Sequence, residues 1–348
     1  MRRRELLAFA AIPGVAAIPG VIAWRLLAIP QQRARTYTIL WVSTEAEPDP
    51  FIAGFREGMR ARGYVEGQNL AFILLYTPAD PGALRAMLPE ILAAPADLIV
   101  SSGPAIRAMK AVTGRTVLFA VSGDPVELGI IQGLARPGGN FTGITFMSLD
   151  VAQKRVELLK ELVPDLRTLA VLSNANHPGE QSEYNATKAV AEVLSIRIAY
   201  VPFSSSPEIE GALERVGATN ADAMLVFPDA VTMVHRARIA QSARLNRLPS
   251  MFGWREYCDA GGLASYGANQ RATYVRLAAY ADRLLRGKRP SRFPVERPST
   301  LELIINLRTA RDLGLDILPT VLAQADKVID LDPDFPDGSG SWSAAVPN

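Results

Sequence analysis

Cysteine is nearly absent. Cys258 is the single one in 348 residues, so the chain can build neither an intramolecular disulfide nor a cysteine-based zinc site. Histidine is almost as scarce: His177 and His235 alone are too few for a histidine-rich metal centre. A net charge of one sign is missing as well. The 37 basic and 35 acidic residues leave a formal +2. That charge is unevenly placed. Residues 1–35 hold six arginines against Glu5, a net +5, which leaves −3 for residues 36–348. A mildly acidic body lacks the clustered basic face that nucleic-acid binding needs. No G-x-G-x-x-G, Walker A or G-x-S-x-G pattern occurs, so no phosphate cradle or nucleophile elbow is signalled, and no cofactor is implied. At 49% hydrophobic and 21% charged the composition is globular, which fits neither disorder nor a polytopic membrane protein. The length favours two lobes over one.

What is present begins with an address. Met1-Arg-Arg-Arg4 precedes the uncharged 19-residue stretch Leu6–Trp24, the basic-then-apolar order of an export signal. Arg3-Arg4-Glu5-Leu6-Leu7 also resembles the twin-arginine pattern. The alternative is an uncleaved anchor, since 19 helical residues would span roughly 28 Å and no clean A-x-A site precedes Tyr37. The expected location is the periplasm, with N-terminal anchoring as the other possibility.

From Tyr37 the chain repeats one unit: a short β-branched run, a turn, then an amphipathic stretch. Strands are expected at Tyr37–Val42, Leu70–Tyr76, Leu98–Ser101, Val117–Val121 and Phe141–Thr145. Phe51, Phe55 and Met59 share one helical face. Further helices are expected around Leu84–Leu92, Ala105–Val112 and Val126–Leu134. Alternation of this kind implies a parallel sheet covered on both faces. The pattern then restarts. Strands at Thr168–Leu172, Arg197–Val201, Ala223–Val226, Ser250–Phe252, Leu263–Tyr266 and Leu303–Asn306 alternate with helices at Val151–Val163, Gln181–Leu194, Glu208–Val216, Val231–Leu245 and Arg271–Leu285. The fold class is therefore α/β, with two doubly wound parallel-sheet lobes of four to six strands each, facing across a central cleft. The segment after Asp330, rich in Pro, Asp, Gly and Ser, reads as a flexible tail.

In such sheets ligands sit beyond the carboxyl ends of the strands. The loops there carry small polar residues: Ser43-Thr44, Ser101-Ser102-Gly103-Pro104, Ser122-Gly123-Asp124-Pro125 and Gly143-Ile-Thr145 in the first half, Asn174 to Pro178 and Pro228-Asp229 in the second. Hydroxyls and backbone N–H groups of this kind can seat a carboxylate. The same residues also serve as ordinary helix caps. Asp124 and Asp229 suit capping or binding of a ligand amine, with an acid/base pair as the other use. His177 reads as an exposed or capping residue, His235 as structural and Cys258 as a packing thiol. Trp41, Trp254, Tyr257 and Tyr266 lie near strand ends, either as core filling or as an aromatic wall for a ligand.

Several ordered segments carry a resemblance. Phe55-Arg-Glu-Gly-Met-Arg-Ala-Arg-Gly-Tyr-Val-Glu-Gly-Gln-Asn69 resembles the F-x-x-G-L-x-E-L-G-Y-V-E-G-x-N segment of a bacterial ABC-transporter substrate-binding family, usually labelled by its tryptophan/tyrosine-type members. Gly123-Asp-Pro-Val126, Leu134 to Gly143, Lys154 to Pro164, Gly261 to Gly267 and Ile305 to Ala310 are similar to the same family. Two departures stand out: Leu40 to Glu45 carries Trp41 and no glycine, and the residues after Asp229 lack aromatics.

The resemblance implies a type I periplasmic-binding fold that traps a small solute by hinge closure and delivers it to a membrane permease driven by a cytoplasmic ATPase, without catalysis. The implied layout is residues 1–35 as signal or anchor, 36–146 plus about 267–295 as lobe one, 147–266 plus about 296–330 as lobe two, and 331–348 as tail. It implies ligand contacts from Ser43, Ser102, Ser122, Asp124 and Thr145 in lobe one, and from Asn174, Asp229, Glu256 and Tyr266 in lobe two or its crossover. Thr44 and Ser101 join them from the loop reading. The expected ligand is amino-acid-like or a small carboxylate. The expected partners are that solute and the permease, with no nucleic acid and a monomeric protein. Two other uses stay open: an anchored ligand sensor of the same fold, and an α/β enzyme acting on a small acid through Asp124 and Asp229.

Overall fold

The computed structural model describes residues 35–330 apart from 45–48, 78–80 and 147–148. The expected export signal and the expected tail lie outside the described residues, except for Arg35. Among the described residues no helix is long and apolar enough to cross a membrane.

The first half runs β1 (Tyr37–Ser43), α1 (Pro50–Arg60), β2 (Leu70–Tyr76), α2 (Pro81–Ala86), α3 (Leu88–Ala93), β3 (Leu98–Ser102), α4 (Ile106–Met109), β4 (Val117–Val121) and β5 (Phe141–Thr145). Its five strands pair in the order β2-β1-β3-β4-β5, all parallel. β1, β3, β4 and β5 are buried along almost their whole length because helices cover both faces, which is why they read as unbroken apolar runs.

The second half runs α5 (Leu149–Leu162), β6 (Thr168–Asn174), α6 (Glu180–Val193), β7 (Arg197–Phe203), α7 (Ile209–Gly217), β8 (Ala223–Val226), α8 (Ala230–Val234), α9 (Arg236–Leu245), β9 (Ser250–Phe252), α10 (Arg255–Asp259) and β10 (Ala264–Ala268). Then come α11 (Gln270–Leu285), β11 (Leu301–Asn306), α12 (Leu307–Leu313), α13 (Pro319–Leu322) and β12 (Lys327–Ile329). Its sheet has seven strands in the order β12-β11-β10-β9-β8-β6-β7. β10 and β11 are antiparallel and the other pairs parallel. The sheet is thus larger than four to six strands and not wholly parallel. The reason is that the chain leaves it after β10, crosses to the first half, and returns from the opposite end to lay β11 down in reverse.

Three other expectations are corrected. No helix forms around Val126–Leu134. Gly129 takes a left-handed conformation (φ 63°), and the segment makes only irregular turns. The helix expected around Leu84–Leu92 is two, because Pro89 near the start of α3 has no N–H to continue the ladder from α2. The helix expected at Val231–Leu245 is kinked at His235 (φ −88°, ψ 10°) into α8 and α9.

Three segments cross between the sheets: Thr145 to Leu149, Ala268 to Gln270, and the stretch from Glu296 to Leu301. Before the last of these, the chain runs beside β5. The Thr145 N–H donates to the Glu296 carbonyl at 2.9 Å, and the Glu296 N–H to the Gly143 carbonyl at 3.1 Å. The second crossing delivers α11 onto α1. Gly54 meets Arg271 and Tyr274, Gly58 meets Val275 and Ala278, and the Tyr64 hydroxyl donates to Asp282 at 2.9 Å. Residue numbers rise together along both helices, so they run parallel and start at the same end, beyond the carboxyl ends of β1 and β10. Arg271 closes the contact with a two-pronged ion pair to Glu57 (2.7 and 2.8 Å).

The close approach depends on glycine. A Cβ at Gly58 would lie 2.6 Å from the Ala278 Cβ and 2.8 Å from the Val275 carbonyl oxygen, and neither can give without moving backbone. Gly58→Val should therefore destabilise the protein by about 1–3 kcal/mol through overpacking, read as a lower midpoint in urea unfolding with an unchanged slope.

Candidate functional site

Both sheets reverse strand order at one place, and the loops at these places hold most of the polar candidates. In the first sheet the reversal lies between β1 and β3. Ser43 ends β1, is buried, and bonds to the carboxyl group of Asp49. Asp49 also accepts from the N–H groups of Phe51 (2.8 Å) and Ile52 (3.4 Å), capping α1, and from the Trp41 indole at 2.7 Å. Burial raises its pKa against those bonds. Ser102 shares a 2.7 Å hydrogen bond with the Tyr274 hydroxyl. The Oγ of Ser101 and the Oγ1 of Thr44 are buried with no partner among the described residues. Thr145 donates to the Gly123 carbonyl at 2.8 Å. Asp124 accepts from the Val126 N–H at 2.7 Å and the Glu127 N–H at 3.4 Å, so its carboxylate closes the local turn, the capping use open to it in the sequence.

In the second sheet the reversal lies between β6 and β8. Asn174 ends β6 and donates through Nδ2 to Asp229 Oδ1 at 2.9 Å. The same oxygen caps α8 by accepting from the Val231 N–H at 2.8 Å. The other oxygen, Asp229 Oδ2, is buried with no partner among the described residues. His177 is not exposed: it is 2% accessible. Its Nδ1 accepts from the Gly179 N–H at 3.2 Å, which leaves the hydrogen on Nε2, and Nε2 too has no partner among the described residues. Burial pushes the imidazole down to about 4; Asp229 opposes this and Arg107 adds to it. A neutral donor and an uncommitted carboxylate oxygen thus belong to neighbouring groups. Glu256, on α10, has one buried oxygen without a partner, and burial raises its pKa. Tyr266 packs on the apolar layer beneath α5, and its carbonyl accepts from the Arg155 guanidinium at 2.8 Å.

The two sets of loops touch. Arg107 donates to the His177 carbonyl at 3.3 Å, Ser182 to Glu127 at 2.9 Å, and a Cβ at Gly123 would sit 2.7 Å from Pro178. Rings bridge the halves as well. Trp254 lies edge-on to Phe51 and Phe146, 6.1 Å from each, and Tyr274 stacks on Phe51 at 5.3 Å. Among the aromatic candidates, Trp41 and Tyr257 are core: both are fully buried, Trp41 against Phe55 and Tyr257 stacked on Phe252. Trp254 instead walls a cavity of about 100 Å³ with Ser122, Phe146, Arg155, Glu183 and Arg297, enough for a group of several atoms when one water needs roughly 10–15 Å³.

Sequence reasoning missed the most charged feature of that wall. Arg155 on α5 and Glu183 on α6 are both buried and meet at 2.6 Å. Burial pushes Glu183 up to about 7, with Arg155 pulling the other way. Each lies among helical residues of mixed polarity 28 positions apart, a spacing with no motif.

Removing one partner of a buried ion pair leaves the other uncompensated. Arg155→Met should cost about 3–5 kcal/mol in chemical unfolding, and Arg155→Met with Glu183→Leu should recover most of it. The histidine sets a pH dependence. An unfolded histidine takes its proton near pH 6.5, at roughly the reference value, whereas His177 resists until about 4. Its contribution is therefore whole above the unfolded value, lost as pH falls between the two, and level below the lower one. His177→Gln should flatten the Tm–pH curve over that window relative to wild type.

The family model described as ABC transporter substrate binding protein matches residues 41–329. A tyrosine-binding protein of Clostridioides difficile is 24% identical over 268 residues, 76% of each chain. Among solved structures, an ABC domain in complex with L-Trp from Streptococcus pneumoniae has a TM-score of 0.77 at 26% identity, over 84% of this chain and 100% of that one. A conserved domain protein from Vibrio cholerae gives 0.78 at 24%, with the same coverage. The ligand-free, open structure of a substrate binding protein with adhesive properties from Clostridium difficile gives 0.59 at 21%, over 84% and 99%. The architecture is the type I periplasmic-binding fold. With most of its length matched, from β1 to β12, this chain belongs to the ABC transporter substrate binding protein family.

Proposed function

We propose that the protein binds an aromatic amino acid between its two halves, outside the cytoplasm, and hands it to a membrane permease driven by a cytoplasmic ATPase. The observation that carries this reading is the set of buried polar atoms without partners among the described residues at the carboxyl ends of strands in both sheets: Thr44 Oγ1, Ser101 Oγ, His177 Nε2 and Asp229 Oδ2. Leaving such groups unmet is expensive, about 1–3 kcal/mol each and more for a charge, so several together at the loops of two facing sheets mark a place that a polar solute completes. Asp229 takes the ammonium group. The hydroxyls of Thr44 and Ser101 take the carboxylate. Phe51, Phe146 and Trp254 flank the apolar remainder. Asn174 holds Asp229 through the bond described above, and Ser122 lines the adjoining cavity.

Lobe one comprises 36–146 with about 267–295, and lobe two comprises 147–266 with about 296–330. They close on the solute by turning about the three crossing segments. Support comes from the loop contacts across the halves and from the higher TM-score to the L-Trp complex than to the ligand-free open relative. A ligand shifts that equilibrium only through its preference for the closed form. The protein acts as a monomer, exported by residues 1–35, with the twin-arginine route favoured by Arg3-Arg4.

Titration calorimetry with L-tryptophan, L-tyrosine, L-phenylalanine, aliphatic amino acids and small carboxylates tests the reading. Micromolar or tighter binding of an aromatic amino acid is expected, with Asp229→Asn weakening it about 10- to 100-fold through the lost charged hydrogen bond. Silence across the whole set overturns it.

A further inference from the structure

Resting on that reading, we infer that Gln270 selects the solute, by hydrogen bonding a neutral polar atom on its ring, an N–H or an O–H. Gln270 opens α11 and is 5% accessible, yet neither its amide oxygen nor its amide nitrogen has a partner among the described residues. A surface glutamine would be bonded to water and a core position would be apolar, so a buried glutamine whose amide finds no partner among the described residues needs a reason. Its direction follows from the helix. Gln270, Thr273, Tyr274, Leu277, Ala278, Ala281 and Leu284 form one buried stripe, and residues four apart stack on the same face. Gln270 therefore stands one turn beyond Tyr274, whose ring packs against Trp41, Phe51 and Phe146. Helical side chains lean toward the N-terminus, which carries the amide past these rings toward the carboxyl end of β10.

Two further observations place it. The N-terminal turns of α1 and α11 lie side by side through the Gly54 contact. Both are already capped, by Asp49 and by Asn269, whose Oδ1 accepts from the Ala272 N–H at 2.9 Å, so Gln270 is not consumed as a cap. The cluster beside it bridges the halves through Phe51, Phe146 and Trp254. An amide is uncharged and offers one acceptor and two N–H donors. Amid apolar rings it suits a neutral polar atom on a flat body, whereas an ammonium or carboxylate would call for a charged partner such as Asp229. A site that hydrogen-bonds a ring substituent rejects the analogue lacking it, because its own polar group is then stranded.

The test uses wild type, Gln270→Met and Gln270→Glu, with L-tryptophan, L-tyrosine and L-phenylalanine as probes in calorimetry, and thermal unfolding of each protein without ligand. Wild type should favour tryptophan or tyrosine over phenylalanine by at least about tenfold. Gln270→Met, of similar shape but apolar, should lose about ten- to hundredfold for the favoured amino acid, keep its affinity for phenylalanine, and unfold at an equal or higher temperature, since it relieves a buried unmet amide. Gln270→Glu should weaken all three. A Gln270→Met protein with undiminished preference overturns the inference while leaving the solute-binding reading intact. So does a ligand-free Tm lowered by several degrees, which would show the amide bonded within the protein. Wild type that binds none of the three, or binds only a non-aromatic solute, removes the basis of the inference itself.

Discussion

The contact between α1 and α11 organises the molecule. More than two hundred residues separate the helices, yet they lie close enough that Gly54 and Gly58 have no room for a side chain. That contact makes the chain leave the second sheet after β10 and cover the first. It forces β11 to return antiparallel, and it ties the crossing segments to the first half's core. It also sets Tyr274 against Phe51 and Trp41, and Ser102 under the Tyr274 hydroxyl. The largest apolar cluster runs through residues of both halves for the same reason. Dispersion between closely packed backbones is strong only at short range, so the geometry tolerates little slack.

Around that frame, polar groups are spent in two ways. Some are fully committed. Asp49 serves α1, Trp41 and Ser43, Asp124 closes its turn, Asn174 and one oxygen of Asp229 hold each other, and Thr145 pins the Gly123 loop. Others are buried with no partner among the described residues: Thr44, Ser101, His177 and the second oxygen of Asp229. The Arg155–Glu183 pair is committed in the same manner as the first set, within the second half's wall. Its guanidinium also holds the Tyr266 carbonyl, next to the point where the chain crosses over.

Several elements were legible from side-chain pattern alone. Leu70–Tyr76, Val117–Val121, Phe141–Thr145, Ala223–Val226 and Ser250–Phe252 form strands as their β-branched and apolar runs indicate. The loops that follow such runs could be named as polar for the same reason. The stretch after Pro125 could not be read correctly, because its apolar spacing suits a helix while Gly129 ends any helix after one turn. β12 escaped notice because three residues carry too little pattern. His177 looked like a loop residue, and its burial comes from packing against a segment distant in sequence. Gln270 drew no reading, because the expected helix began one residue later at Arg271, and nothing local signals that its face turns inward.

The sequence by itself determined the alternation of strand and helix, the doubling of that pattern, and the family, since these rest on local periodicity and on contiguous motifs. Only the tertiary structure decided which polar residues are spent on caps and which stay unmet, that Arg155 finds Glu183, and that Trp254 rather than Tyr257 faces the cavity. Those outcomes depend on which face of one element meets which face of another. A hydrogen bond or an ion pair acts over about 3 Å, a distance set by the packing of helices and strands that come together only when the whole chain has folded.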